Sequence, residues 1–174
     1  MWPLVHWAEL LELLDARKEC RLFWIGDKKA KQVAEKITAK QRLPDNKTVD
    51  LCERVPLNQL GSFLERVDLL ISADSGPVHV AAAHRVPTLV LFSGTNTADE
   101  WRPLSDVAKL VHYPVSCSPC SERVCPKPRH YCMEGILPSQ AYEEAVKILD
   151  ASVLTGRRPV GDTAQDRTSS GEVS

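Results

Sequence analysis

Short apolar runs alternate with amphipathic stretches along the first 154 residues of the chain. Continuously apolar runs of four to six residues are typical of strands covered on both faces, and apolar residues at helical spacing are typical of helices. The pattern predicts strands over residues 21–25, 48–52, 68–73, 88–92 and 109–113, and helices over residues 3–18, 27–40, 57–65, 76–84 and 138–154. Strands that alternate with helices indicate βαβ units. We therefore expect an α/β, Rossmann-like fold, in which helices cover both faces of a parallel sheet.

The alternating pattern stops near residue 154. Residues 155–174 contain few apolar residues and many Gly, Arg, Asp, Thr and Ser, so we expect a disordered polar tail. The chain has 174 residues, which is enough for one α/β domain with a sizeable core. The sequence thus predicts one domain over residues 1–154, followed by the tail.

The third predicted strand ends in a tight turn, Asp74-Ser75-Gly76-Pro77, and a helix follows at once. Gly76 leaves room for a ligand to approach the backbone, and the start of a helix favours an anion. The turn also lies at the carboxyl end of a strand, where ligands bind in open α/β sheets. Ser75 and His79 can donate hydrogen bonds there, and we expect Asp74 to cap the helix. The alternative interpretation is an ordinary strand–helix turn that binds no ligand, with a histidine packed against the protein.

Four of the six cysteines fall within sixteen residues of a proline-rich segment, residues 114–133: Cys117, Cys120, Cys125 and Cys132. The chain shows no secretory signal pattern, which favours metal over disulfides. The first pair has zinc-knuckle spacing, and His112 and His130 are substitute ligands, so we predict a structural zinc site. Reduced thiols, a disulfide and an iron–sulfur cluster are the alternatives.

Charge and hydropathy narrow the class of protein. The net charge is −1, with 43% hydrophobic and 26% charged residues, so no basic field indicates a nucleic-acid partner. No apolar run reaches the roughly 18 residues that span a bilayer. We therefore expect a cytoplasmic location.

Two motifs, DSGPVHVAAAHRVPTLVLF from Asp74 and CSPCSERVCPKPRHYCMEGI from Cys117, stand in one order with WRP between them. In this combination the chain resembles glycosyltransferase family 9, the heptosyltransferases of lipopolysaccharide assembly. The resemblance implies a two-domain GT-B enzyme, of which this chain is the C-terminal, nucleotide-sugar-binding half. It implies transfer of a sugar, typically heptose, from an ADP-heptose-like donor to a lipid-linked saccharide, with no cofactor required for catalysis.

The resemblance also assigns donor-binding residues. Asp74, Ser75, Gly76 and His79 match the family motif that holds the diphosphate and nucleotide of the donor, whereas Gly26 and Asp27 match a loop near the nucleoside more weakly. The family's F-G-P-T motif after the fourth strand is replaced here by residues 92–95, Phe-Ser-Gly-Thr.

The family's N-terminal domain, which carries the acceptor site and the catalytic base, has no counterpart in these residues. We therefore expect no catalytic residue in this chain, an acceptor bound through the missing domain, and peripheral association with the inner face of the plasma membrane. The alternative function is a non-catalytic nucleotide-binding or protein-interaction module derived from the same fold. A zinc-stabilised structural domain without a ligand is a third hypothesis.

Overall fold

The computed structural model describes residues 1–17, 20–39, 47–122 and 124–154. The expected polar tail, residues 155–174, lies outside the described residues.

The described residues form five strands and seven helices. The strands are β1 (Leu22–Trp24), β2 (Thr48–Asp50), β3 (Leu70–Ala73), β4 (Thr88–Phe92) and β5 (Ala108–His112). The helices are α1 (Leu4–Asp15), α2 (Lys28–Thr38), α3 (Leu57–Leu64), α4 (Gly76–Ala83), α5 (Ala98–Trp101), α6 (Tyr131–Glu134) and α7 (Pro138–Leu154). Every expected element is present, with its ends displaced by at most three residues. The two four-residue helices, α5 and α6, were not expected.

All strand pairs in the described part of the chain are parallel. They form a two-stranded sheet, β1–β2, and a three-stranded sheet in the order β3–β4–β5. Leu70 of β3 lies opposite Thr88 of β4, and Thr88 lies opposite Ala108 of β5. The pattern predicted one sheet, so the division into two ladders corrects that expectation. In parallel sheets the carboxyl ends of neighbouring strands share one edge, and the turns after β3 and β4 therefore lie side by side.

The central strand β4 is buried along its whole length because two hydrophobic clusters cover its faces. Leu89 and Leu91 belong to the cluster that α1 and α7 help to form, whereas Val90 and Phe92 belong to the cluster that involves α3 and α4. Alternate residues of a strand point to opposite faces, so this division places helices on both sides of the sheet. Each such buried side chain contributes about 1.5–3 kcal/mol to folding.

Helix α4 is held in place by a close contact with α3. A Cβ added to Gly61 of α3 would clash with the ring of His84, which follows α4, so glycine at this position lets the ring lie against the helix. The Nδ1 atom of the same histidine lies 2.8 Å from the Oε1 atom of Glu65. The contact joins the C-terminal end of α4 to α3, at the opposite end of the helix from the candidate site.

Within the described residues, no helix is both long enough and apolar enough to cross a membrane.

Candidate functional site

The β3–α4 turn, residues 74–77, leaves the start of α4 without a side-chain cap. Ser75 occupies the N-cap position in an extended conformation (φ −161°, ψ 167°), and no side-chain hydrogen bond caps the helix. The expected capping role of Asp74 is therefore wrong. Its Oδ2 atom lies 3.5 Å from the Nδ2 atom of Asn96, in the loop after β4, so the carboxylate interacts across to the neighbouring strand end. The positive end of the α4 dipole is left available to a ligand anion.

The hydroxyl groups beside this turn are engaged with the backbone. Ser75 Oγ donates to the carbonyl oxygen of Ala73 at 3.1 Å, and Ser72 Oγ donates to the same oxygen at 2.9 Å. The two hydroxyl oxygens lie 3.1 Å apart. A serine hydroxyl turns freely about its Cβ–Oγ bond. Ser75 can therefore donate to an anion when its hydroxyl hydrogen rotates away from the Ala73 carbonyl.

Gly76 and His79 are both accessible from solvent at the start of α4. A Cβ built on Gly76 meets no heavy atom within 4 Å, which shows that the space in front of this backbone is open. His79 is exposed in the first turn of the same helix. A ligand can therefore reach the backbone at Gly76 without displacing protein atoms.

The start of α2, where Gly26 and Asp27 lie, differs from the start of α4. Asp27 is the N-cap of α2, and its Oδ1 atom accepts hydrogen bonds from the backbone N–H groups of Lys29 and Ala30, each at 3.0 Å. Gly26 has a φ of 143°, and a Cβ there would lie 2.5 Å from the Cβ of Ala30. Both residues thus have local structural roles, and the protein itself supplies the negative charge at this helix. Their contact with a nucleoside remains a prediction.

A cavity of about 340 Å³ opens beside the β3–α4 turn. One wall consists of Asp74 and of Ser93, Gly94 and Thr95, which follow β4 directly. Residues of the Cys-rich segment (residues 114–133), among them Cys117, Cys120, Lys127 and Arg129, line the cavity as well. Small-molecule sites have volumes of about 300–1,000 Å³, so the cavity matches the lower end of that range.

Backbone hydrogen bonds fasten the Cys-rich segment to the loop after β4. The N–H of Cys120 donates to the carbonyl oxygen of Gly94 at 3.1 Å, and the N–H of Ser121 donates to that of Thr95 at 2.9 Å. A Cβ on Gly94 would lie 3.2 Å from the Cβ of Ser118 and 3.3 Å from that of Cys132. The glycine that departs from the family's F-G-P-T motif therefore lets this segment pack against the strand end.

The four clustered cysteines, Cys117, Cys120, Cys125 and Cys132, all line this one cavity. Cys132 is buried and Cys117 is exposed, and all six cysteines of the chain are free thiols in the structure. The described residues contain no group of three or more Cys, His, Asp or Glu side chains placed to hold a metal ion. The structure thus brings the predicted ligands to one place without arranging them as a ready metal site, and the zinc site remains a prediction.

Positive charge also reaches the cavity from the Cys-rich segment. The guanidinium of Arg129 pairs with the Glu134 carboxylate at 2.6 Å, and this contact holds the pKa of Glu134 below its usual range. Burial lowers the pKa of His130, which favours the neutral imidazole at pH 7. Lys127 lines the cavity as well and is exposed.

Sequence reasoning missed Ser93, Thr95 and Asn96 as residues of this site. Their position directly after a buried strand could have indicated them, because β4 neighbours β3 and ends at the same edge. The hydroxyl of Ser93 donates to Thr95 Oγ1 at 3.1 Å, so the loop has a fixed polar surface towards the cavity.

The structure shows a Rossmann-like α/β domain in which α4 begins without a side-chain cap and faces open space, and comparisons with known proteins give the family. The model of "Glycosyltransferase family 9 (heptosyltransferase)" matches residues 1–130. The chain belongs to glycosyltransferase family 9. Lipooligosaccharide heptosyltransferase 2 of Campylobacter jejuni is 28% identical over 153 residues, which cover 88% of this chain and 48% of that protein. The enzyme of the same name from Haemophilus influenzae is 30% identical over 113 residues, 63% of this chain and 32% of that protein.

Solved structures share the fold. Escherichia coli ADP-heptose lps heptosyltransferase II superposes with a TM-score of 0.73 at 23% identity, over 87% of this chain and 43% of that chain. A family 9 glycosyl transferase from Veillonella parvula gives a TM-score of 0.68 at 18% identity, over 87% and 42% of the two chains. The expected α/β fold of one half of a GT-B glycosyltransferase is confirmed. The chain spans about half the length of the first curated relatives that it matches.

Proposed function

We propose that residues 1–154 form the donor-binding domain of a glycosyltransferase that transfers heptose from an ADP-heptose-like nucleotide-sugar to a lipopolysaccharide-type glycan. The observation that carries the proposal is the β3–α4 turn, where Gly76 faces open space and no side chain caps α4. Family membership and the names of the relatives, which are heptosyltransferases, support the choice of reaction.

The chemistry of transfer requires stabilisation of the diphosphate as the glycosidic bond breaks. The N–H groups at the start of α4 and the hydroxyl of Ser75 supply preoriented donors for this growing charge. His79, exposed in the first turn, adds a donor from its imidazole. Deprotonation of the acceptor hydroxyl requires a base, which we assign to the other half of the enzyme, together with the acceptor site.

Calorimetric titration with ADP and UDP tests the proposal. We expect saturable binding that favours ADP, and we expect His79→Ala to weaken it, because the lost donor leaves part of the diphosphate charge without a partner. His84→Gln is the matched control, because His84 lies at the other end of the same helix and contacts Glu65. A folded chain that binds neither nucleotide at millimolar concentration would refute the donor-domain proposal.

Transfer itself separates the enzyme from a non-catalytic nucleotide-binding or interaction module. The assay combines this chain with the N-terminal half of a family 9 heptosyltransferase and measures release of ADP in the presence of ADP-heptose and an acceptor glycan. Nucleotide binding without transfer in any such combination would favour the non-catalytic module.

We also propose that Cys117, Cys120, Cys125 and Cys132 hold a structural zinc ion after a rearrangement of the Cys-rich segment. Their shared position around one cavity supports this, because thiolates within one loop can converge on a tetrahedral ion. Titration with Co²⁺ gives a direct readout, since thiolate coordination produces intense visible absorption. Absence of that absorption in the reduced protein would leave reduced thiols as the better interpretation.

For the location, we propose a cytoplasmic protein that associates with the inner face of the plasma membrane. Exposed apolar side chains beside basic ones support this: Trp101 is 51% and Leu104 is 94% exposed, and the neighbouring Arg102 and Lys109 are exposed as well. Co-sedimentation with vesicles of phosphatidylglycerol tests the association, and Trp101→Ser with Leu104→Ser should abolish it. Equal sedimentation of the parent and the double variant would contradict this surface.

A further inference from the structure

The cavity beside the β3–α4 turn contains more basic side chains than the resemblance assigns to the donor site. Lys127, Arg129 and His130 of the Cys-rich segment all line it, together with Asp74 and the loop after β4. None of these three residues belongs to the family motif at the turn. The three residues differ in whether they have a partner within the protein, and this difference directs attention to Lys127.

Arg129 and His130 already have partners within the protein. Arg129 forms a 2.6 Å ion pair with Glu134, whose second oxygen accepts from the backbone N–H of His130 at 3.0 Å. His130 is half-buried, and its Nδ1 atom lies 3.4 Å from the amino group of Met1. Neither side chain is placed to supply a free cation to a ligand.

Lys127 is in a different position. It is exposed, and among the described residues no ion pair joins it to Glu122 or Asp74, the two carboxylates that line the same cavity. Asp74 instead lies against Asn96. The ammonium group of Lys127 therefore remains available to an anion that enters the cavity from the side of the turn.

We propose that Lys127 binds the diphosphate of the nucleotide-sugar, as a second wall of the site that begins at Ser75 and Gly76. Asp74 is both the first residue of the turn and part of the cavity lining, so the turn and Lys127 border the same cavity. Lysine is a common phosphate ligand because its ammonium acts as a mobile point charge. This inference rests on the proposed donor-binding function.

The experiment compares the affinity of the 174-residue chain for ADP in four forms at low salt. The forms are the parent, Lys127→Gln, Lys127→Arg and the control Lys36→Gln, which removes an exposed lysine of α2 that does not line the cavity. We expect Lys127→Gln to weaken binding by about fivefold, as for a partly exposed ion pair, and Lys127→Arg and Lys36→Gln to bind like the parent. The difference should shrink at 0.5 M salt, because salt screens exposed charges.

Equal affinity of Lys127→Gln and the parent would overturn the inference while the donor-domain proposal stands. A loss that Lys36→Gln reproduces would overturn it too, because net charge alone would then explain the effect. A parent chain that does not bind ADP at all would overturn both proposals together. Thermal unfolding of each variant shows whether an affinity loss reflects a folding defect, which we do not expect at an exposed position.

Discussion

A methyl group on Gly76 would face open space in the protein and would occupy the path of a bound phosphate. The Gly76→Ala change therefore separates ligand binding from folding. The added Cβ meets no heavy atom within 4 Å, and Gly76 is the first residue of α4, with a backbone conformation that alanine adopts without strain. Alanine also restricts the unfolded chain, which stabilises the protein by about 0.4–1 kcal/mol.

Although Gly76→Ala should stabilise the fold, we expect it to weaken the binding of ADP. A phosphate oxygen that accepts from a backbone N–H lies about 2.9 Å from the nitrogen, so a methyl group on the same residue competes for that space. We expect ADP affinity to fall at least about tenfold, which corresponds to about 1.4 kcal/mol. Urea denaturation gives the stability of each variant, and calorimetry gives its affinity.

Gly61→Ala is the control with the reverse expectation. Its Cβ would clash with the ring of His84, away from the turn, so we expect a loss of about 1–3 kcal/mol in stability and unchanged affinity of the folded fraction. If Gly76→Ala binds ADP as tightly as the parent, the ligand does not approach the backbone at Gly76, and the reasoning from the open space fails.

Three further changes test other parts of the structure. Trp2→Phe removes the donor that bonds the buried carbonyl of Ile136 at 2.9 Å, so urea denaturation should show a loss of about 1–3 kcal/mol. Burial raises the pKa of Cys52 to about 12 from 9.0. The protonated thiol therefore stabilises the fold fully below pH 9, and this contribution is lost as pH rises towards 12. The difference in free energy of unfolding between the parent and Cys52→Ala should narrow over that range. Gly94→Ala crowds the Cys-rich segment, so thiol titration should show faster reaction of the buried Cys132, whereas an unchanged rate would contradict the tight packing.

The fold was largely predictable because its strands are short apolar runs between amphipathic helices. Residues 88–92 were predicted as β4 with the bounds that the structure has, because four apolar residues follow Thr88 in an unbroken run and all five residues are buried. The helices α5 and α6 have four residues each and are too short for a 3.6-residue period to emerge. The division of the strands into two ladders depends on tertiary packing, which the pattern does not record.

The site was predictable only where its geometry is local. The turn with Ser75 and Gly76 follows from adjacent residues, and the structure leaves it open as expected. The partner of Asp74 is Asn96, 22 positions away, so local capping rules gave the wrong role. The cavity depends likewise on contact between Gly94 and Cys120, which are distant in sequence.

The contact between the Cys-rich segment and the loop after β4 makes the oxidation state of a preparation part of any binding measurement. The thiols of the segment are free in the structure, and a disulfide between two of them would fix their Cα atoms about 4.4–6.8 Å apart. Because the N–H of Cys120 donates to the carbonyl oxygen of Gly94, any movement of the segment that accompanies such a pairing would reach the cavity wall at Gly94. Cys117, the exposed thiol of the cluster, is the first candidate for air oxidation. Affinities of fresh, reduced protein and of aged protein should therefore be measured separately.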